Sequence, residues 1–295
     1  MRNPPHRIYY DTTAKIMFAE LELIIYLYYL NCSTSLKNIN QMKRIICLLL
    51  CVTVFQTAAQ KQYTPVDYVS TLVGTMSKHS LSTGNTYPAI AMPWGMNFWT
   101  PQTGKMGDGW VYTYDADKIK GFKQTHQPSP WNNDYGQFAI MPVTNKLVFN
   151  EDQRASWFSH KTETARPHYY RVFLADHDVT AEVTPTERAA MFRFTFPESD
   201  SSFIVVDAYD KGSYIKIIPE ENKIIGYTTR NSGGVPENFR NYFVIRFDKP
   251  FQNIATVSED AVIHKGQSEL QADHAGGIIG FSTLRKDTVH AWVAS

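Results

Sequence analysis

The chain has 295 residues and carries 29 Lys and Arg against 28 Asp and Glu, a net charge of +1 with no blocks of one sign. That balance argues against nucleic acid or an anionic membrane surface as a partner. With 43% hydrophobic residues and only three cysteines, a core of this size has to be held by packing and not by disulfides.

Residues 1–41 contain Ile24–Leu30, but Lys15, Glu20 and Glu22 interrupt any longer apolar span. They read as a non-native upstream extension, the alternative being an unusual membrane anchor. Residues 42–59 have the order of a secretory signal peptide: Met42-Lys43-Arg44, then the apolar run Ile45–Phe55, then the small residues Thr57, Ala58 and Ala59. The run is shorter than the ~20 residues of a membrane span, and cleavage is expected near Ala59–Gln60. Cys32, Cys47 and Cys51 all precede that cut, so the mature part has neither a disulfide nor a thiolate metal site. Of the charged residues, 6 Lys and Arg and 3 Asp and Glu fall before residue 60, which leaves 60–295 at net −2. Export without disulfides suits a bacterial periplasm or cell surface.

Within 60–295, Thr64-Pro65 is a helix start, with Thr64 as cap and Pro65 in the first helical position. Residues 70–136 are rich in Gly, Pro, Asn and Thr, hold Trp94, Trp99, Trp110 and Trp131, and show weak periodicity; they read as loops. From about residue 169 the pattern becomes short strands. Phe192, Phe194 and Phe196 fall on one face of a period-two run, with Arg193 and Thr195 on the other. Further runs are 170–174, 179–183, 203–208, 214–218, 224–229, 242–247, 278–281 and 289–293. Turn signals separate them, among them Asp210-Lys-Gly212 and Ser232-Gly-Gly234. This spacing predicts an all-β domain, an antiparallel two-sheet β-sandwich with long irregular loops. Val289–Val293 reads as a strand two residues before the last position, so 60–295 is expected to be one domain truncated out of a larger protein.

The loops mix aromatic rings with Asn, Asp and His, a composition that suits sugars: pyranose faces stack on indoles and hydroxyls meet planar polar groups. Gly121–Gly136 is the densest stretch. By composition alone, Trp131 as a core plug and Asp134 as a turn cap carry somewhat more weight than a sugar site. His79, His160, His168 and His177 lack metal-site spacing, and Asp176-His-Asp178 is read as shaping a turn. No Gly-x-Ser-x-Gly elbow supports a serine nucleophile, and spacing singles out no carboxylate pair for glycoside hydrolysis.

Three stretches in order resemble the N-terminal domain of glycoside hydrolase family 92, the calcium-dependent inverting α-mannosidases. They are Tyr68–Thr75, Gly84-Asn-Thr-Tyr-Pro–Met96, and Gly121–Pro142 with its Thr125-His126 and Asp134-Tyr-Gly136. Phe158-Ser-His160, Tyr169-Tyr170, Ala181-Glu182 and Phe194–Pro197 continue the match. Departures are Gln124 for the first histidine of the family's His-Thr-His, the 127–133 segment for a small-residue one, Trp94 for Phe and Ala89 for Gly. The resemblance implies a galactose-mutarotase-like supersandwich followed by an (α/α)6 barrel that carries the acid, the base and most calcium ligands. It assigns no catalytic residue and no metal ligand to this chain. It implies Trp110, His126, Trp131 and Asp134 as lining the sugar pocket for mannose-containing glycans. The alternative function is a stand-alone carbohydrate-binding β-sandwich; a third is a purely structural surface sandwich.

Overall fold

The structure, a computed structural model, describes Ile46 and residues 63–76, 86–106, 111–126, 135–231 and 233–295. The chain divides into two units, Met1–Tyr63 and Thr64–Ser295, and the architecture below belongs to the second. The expected extension and leader lie outside the described residues, Ile46 apart.

The first half supplies β1 (Phe98–Gln102), β2 (Lys118–Ile119), β3 (Gly121–Thr125), β4 (Ala139–Thr144), the helical turn α1 (Glu151–Arg154), β5 (Ser156–Trp157) and β6 (Thr164–Arg166). The second supplies β7 (Tyr169–Leu174), β8 (Val179–Pro185), β9 (Ala189–Phe196), β10 (Ser199–Asp207), β11 (Ser213–Ile218) and β12 (Lys223–Thr228). It ends with β13 (Asn241–Phe247), β14 (Asn253–Val257), β15 (Ile263–Lys265), β16 (Glu269–Ala272), β17 (Gly276–Thr283) and β18 (Asp287–Ala294). All nine runs read from alternation are strands: β7 to β13, β17 and β18. Thr64 caps a single 3-10 turn, Pro65–Tyr68, where its amide and hydroxyl both donate to Asp67 Oδ2 at 2.9 Å.

Two antiparallel sheets form the sandwich. One has seven strands in the order β1-β3-β4-β10-β17-β14-β15, the other nine in the order β16-β11-β12-β13-β18-β9-β8-β7-β6. β2 and β5 pair separately. The nine-stranded sheet follows the expected alternation: β13 buries Phe243, Ile245 and Phe247 and exposes Tyr242, Val244 and Arg246. The seven-stranded sheet is covered on both faces, so all six residues of β4 and seven of the eight in β17 are buried. Where the sheets meet, Gly277 faces Ile215, and an added Cβ would stand 3.2 Å from its side chain. Gly276 faces the other way, and there a Cβ would come within 2.1 Å of the Phe149 ring. Only glycine lets Phe149 lie flat on the strand.

The loop reading of 70–136 requires correction. β1 and β3 lie inside it, paired in register from Phe98↔Thr125 to Gln102↔Gly121. Alternation misses them because Thr100, Gln102, Lys123, Gln124 and Thr125 are polar and nevertheless buried. Trp99 is corrected from a loop tryptophan to a core one: it is fully buried, edge-on to Phe138 at 5.8 Å and to Phe192 at 5.4 Å. Trp94, by contrast, is 98% exposed.

Trp99→Ala is expected to destabilise the domain by about 3–5 kcal/mol through the cavity it leaves, measured by urea unfolding. Trp99 Nε1 has no hydrogen-bond partner among the described residues, so Trp99→Phe should cost clearly less. Equal costs would place the indole outside the core.

Candidate functional site

Three loops leave the β1–β3 edge, and hydrogen bonds join their stems. The first closes where Thr86 donates from N to Gly74 O at 3.3 Å and from Oγ1 to Val73 O at 2.8 Å. The second closes where Thr103 N donates to Val111 O at 2.8 Å and Thr113 N to Thr103 Oγ1 at 3.0 Å. The third closes where His126 stacks on Tyr135, centroids 4.6 Å apart and planes 11° apart. Tyr114 N donates to Thr75 O at 3.0 Å, tying the second loop to the first, and Tyr87 Oη to Thr125 Oγ1 at 3.5 Å, tying the first to the third. Gly136 N also reaches Arg230 O at 2.8 Å, which binds the third loop to the turn between β12 and β13. The family-like segments therefore converge at one sheet edge. Of the four expected pocket residues, His126 stands in this cluster; Trp110, Trp131 and Asp134 lie outside the described residues.

His126 is held by a directed chain of donors. Asn97 Nδ2 donates to Ser295 Oγ at 3.0 Å, and Ser295 Oγ donates to Gln124 Oε1 at 2.9 Å. With its oxygen so used, Gln124 turns Nε2 toward His126 Nε2 at 3.3 Å. An amide nitrogen only donates, so His126 Nε2 accepts and its Nδ1–H donates to Tyr135 O at 2.7 Å. These two contacts match the Nδ1–H tautomer. Gln124 is fully buried, which makes the replaced histidine position an orienting group for His126.

Under the loops, the outer face of the seven-stranded sheet is polar and dry. Tyr209 Oη donates to Gln102 Oε1 at 2.6 Å, and Gln102 Nε2 to Gly104 O at 3.2 Å. Buried Lys123 lies over the Tyr209 ring at 5.9 Å. Arg154, fully buried, donates to Asp207 Oδ2, Phe149 O and Lys120 O, each at 2.8 Å. Asp207 Oδ1 accepts from His274 Nε2 at 2.7 Å and Tyr209 N at 3.1 Å. Burial works to raise the Asp207 carboxyl, but Arg154 and His274 outweigh it and hold it at about 2. For His274, burial works downward and Asp207 outweighs it, so its pKa is raised.

A second buried carboxylate clamps the stem of the middle loop. Glu163, its side chain wholly out of solvent, accepts from Tyr170 Oη at 2.6 Å and Tyr112 Oη at 3.1 Å, and meets His160 Nδ1 at 2.5 Å. His160 Nε2 meets Tyr114 O at 2.6 Å, its ring stacked on Tyr114 at 3.9 Å. Burial, then the Glu163 charge, pushes both phenols far up, so they act as donors. The turn-shaping reading of Asp176–Asp178 agrees with this structure, which has a turn over 175–178: Trp157 N donates to Asp176 Oδ2 at 2.8 Å, and His177 Nε2 meets Arg154 O at 2.8 Å.

Among the described residues, no group of three or more His, Cys, Asp or Glu is placed to hold a metal ion. Calcium takes six to eight oxygen ligands, whereas Asp67, Glu182 and Asp207 here are each committed to an arginine. Those three carboxylates are therefore not free to ligate it.

The model for the glycosyl hydrolase family 92 N-terminal domain matches residues 68–295. The chain belongs to family 92. Solved family 92 structures share its fold. An inverting mannosidase from Bacteroides thetaiotaomicron aligns at 42% identity and a TM-score of 0.75, over 79% of this chain and 32% of that one. An α-mannosidase from the same organism, solved with mannoimidazole, aligns at 29% identity and 0.67, over 78% and 32%. An uncharacterized secreted glycosidase of Arthroderma benhamiae is 27% identical over 161 residues, 52% of this chain and 20% of that protein. The chain thus spans about a third of the length of these solved family 92 relatives.

Two outcomes test the site. In 15N NMR spectra, His126 is expected as the neutral Nδ1–H tautomer, and Gln124→Leu should release it; an Nε2–H tautomer in the parent would overturn the donor chain. Stability should also follow the two shifted groups of the floor. His274, raised on folding, contributes fully below about 6.5 and loses its contribution as pH rises through its folded value; Asp207, depressed, contributes above about 3.9 and loses it as pH falls toward 2. Melting temperature should therefore fall as pH rises from about 6.5 through the raised His274 value in the parent, and stay level over that range in His274→Gln.

Proposed function

We propose that this family 92 domain forms one wall of the sugar pocket of an exported α-mannosidase that removes terminal α-linked mannose from glycans. The observation that supports it most is the joining of the family-like stems around Thr75 and Thr86 to the third loop beside His126, with the loop of Trp110 tied to them through Tyr114 and Thr75. Trp110, Trp131 and Asp134 belong to the segments these stems carry: indoles for the apolar face of the sugar, and planar polar groups for its hydroxyls. The domain contributes shape and orientation. The acid that protonates the leaving oxygen, the base that activates water from the opposite face, and most calcium ligands come from an (α/α)6 domain. Export is supported by the leader at 42–59 and by the secreted description of the Arthroderma relative.

In the enzyme that carries this domain, Trp131→Ala is expected to lower mannoside turnover while the melting temperature stays near that of the parent. A variant that melts far below the parent, with unchanged activity per folded molecule, would make Trp131 a core residue. N-terminal sequencing of the exported protein should begin near Gln60; a start upstream of Met42 would overturn the leader.

A further inference from the structure

The cover over the outer face of the seven-stranded sheet gives out toward β14 and β15, where Asn253 and Lys265 are exposed. Strand β17 turns Gly277 to the other sheet and Gly276 away from it, so Ile278 and Gly280 also face outward. The register then sets out two outward rows: Phe203, Gly280 and Asn253 in one, and Val205, Ile278, Ala255 and Lys265 in the next. The first row holds a ring, a gap and an amide. Phe203 leans over the gap: a Cβ on Gly280 would stand 3.1 Å from its Cε1 and 3.2 Å from Asn253 Cβ. Over these rows lies a hollow of about 460 Å³, floored by Ile278, Gly280 and Ala255, with Phe203, Asn253 and Lys265 around it. That volume falls among those of small-ligand sites.

The lining says which ligand suits it. Phe203 is half-buried and presents an aromatic ring to the hollow. The side chains of Gln252, Asn253 and Lys265, which also line it, make no hydrogen bond or ion pair among the described residues. Two carboxamides both donate and accept, and an ammonium donates. Sugar hydroxyls can answer all three, while the C–H face of a pyranose packs on the ring. An aliphatic ligand makes no use of the polar groups. A multiply charged anion meets one cation only, since Lys265 is the single charged residue of the lining. The chain, moreover, belongs to a glycoside hydrolase family.

We propose that this hollow is a second glycan-binding site, for a neutral polysaccharide, separate from the sugar pocket. Phe203 takes the apolar face of one pyranose, and Gln252, Asn253 and Lys265 take its hydroxyls and those of its neighbour. β15 closes one edge of the seven-stranded sheet and β1, with the His126 stems, the other. A polymer held at the β15 end is therefore anchored and left uncut there, and its free ends reach the pocket at a raised local concentration. Mannan as the polymer rests on the activity proposed above; the site itself rests on the lining of the hollow.

The test is isothermal titration calorimetry of this chain with soluble α-mannan and, in parallel, with starch and xylan. The parent should bind mannan. Phe203→Leu keeps an apolar side chain but removes the ring, and should weaken binding by about ten-fold or more, whereas Phe203→Tyr should retain it. The exposed pair Asn253→Ala, Lys265→Ala should weaken binding with the melting temperature unchanged, and it carries the test if Phe203→Leu unfolds. Trp131→Ala should leave the affinity as it is. Three outcomes overturn the proposal: no binding of any of the three polysaccharides, parental affinity in the Asn253, Lys265 double variant, or loss of affinity in Trp131→Ala alone, which would put the glycan at the His126 loops. Binding of starch or xylan in place of mannan, lost in the same variants, would keep the hollow as a glycan site and count against mannose as the substrate.

Discussion

A guanidinium withdrawn from water has to be met by a carboxylate, and the pairing of Arg154 with Asp207 sets the terms for the end of the sandwich that carries the loops. Arg154 comes from α1, Asp207 from the end of β10, and His274 from the turn before β17. Desolvating either charge alone costs several kcal/mol, and removing one partner of such a pair costs about 3–5 kcal/mol. The pair therefore fixes the distance between the sheet and the segments lying over it. Phe149 can rest on Gly276 because Arg154 holds its carbonyl. Tyr209, whose amide donates to Asp207, carries the same constraint through Gln102 to the base of the second loop.

This explains why one sheet of the sandwich has two buried faces and the other only one. A polar layer of Thr100, Gln102, Lys123 and Asp207 can be dry only where loops supply partners. The seven-stranded sheet has such loops. The outer face of the nine-stranded sheet carries exposed aromatic side chains, Tyr242 and Trp292 among them.

The same economy of partners governs His126. A histidine on a loop stem is ordinarily free to change tautomer; here Gln124, itself oriented by Ser295, favours the Nδ1–H form. The family's His-Thr-His is changed at its first position, and the structure gives that change a physical meaning. The buried amide replaces a group able to change its charge with one that can only donate or accept.

The alternation of Phe192, Phe194 and Phe196, and of the other half-buried strands, was enough by itself to determine the all-β class and nine of the strands, because a sheet with one wet face writes its period into the chain. The ordered family-like segments determined the family. β1 and β3 were illegible, since a strand whose outward residues are covered by loops has no reason to alternate in polarity. For the same reason Trp99 looked like its loop neighbours until pairing with β3 put it between Phe138 and Phe192. Only the tertiary structure could unite Asn97, Gln124, His126 and Ser295, which lie up to 198 positions apart. A hydrogen bond depends on where the backbone has brought its donors, and residue order carries no record of that.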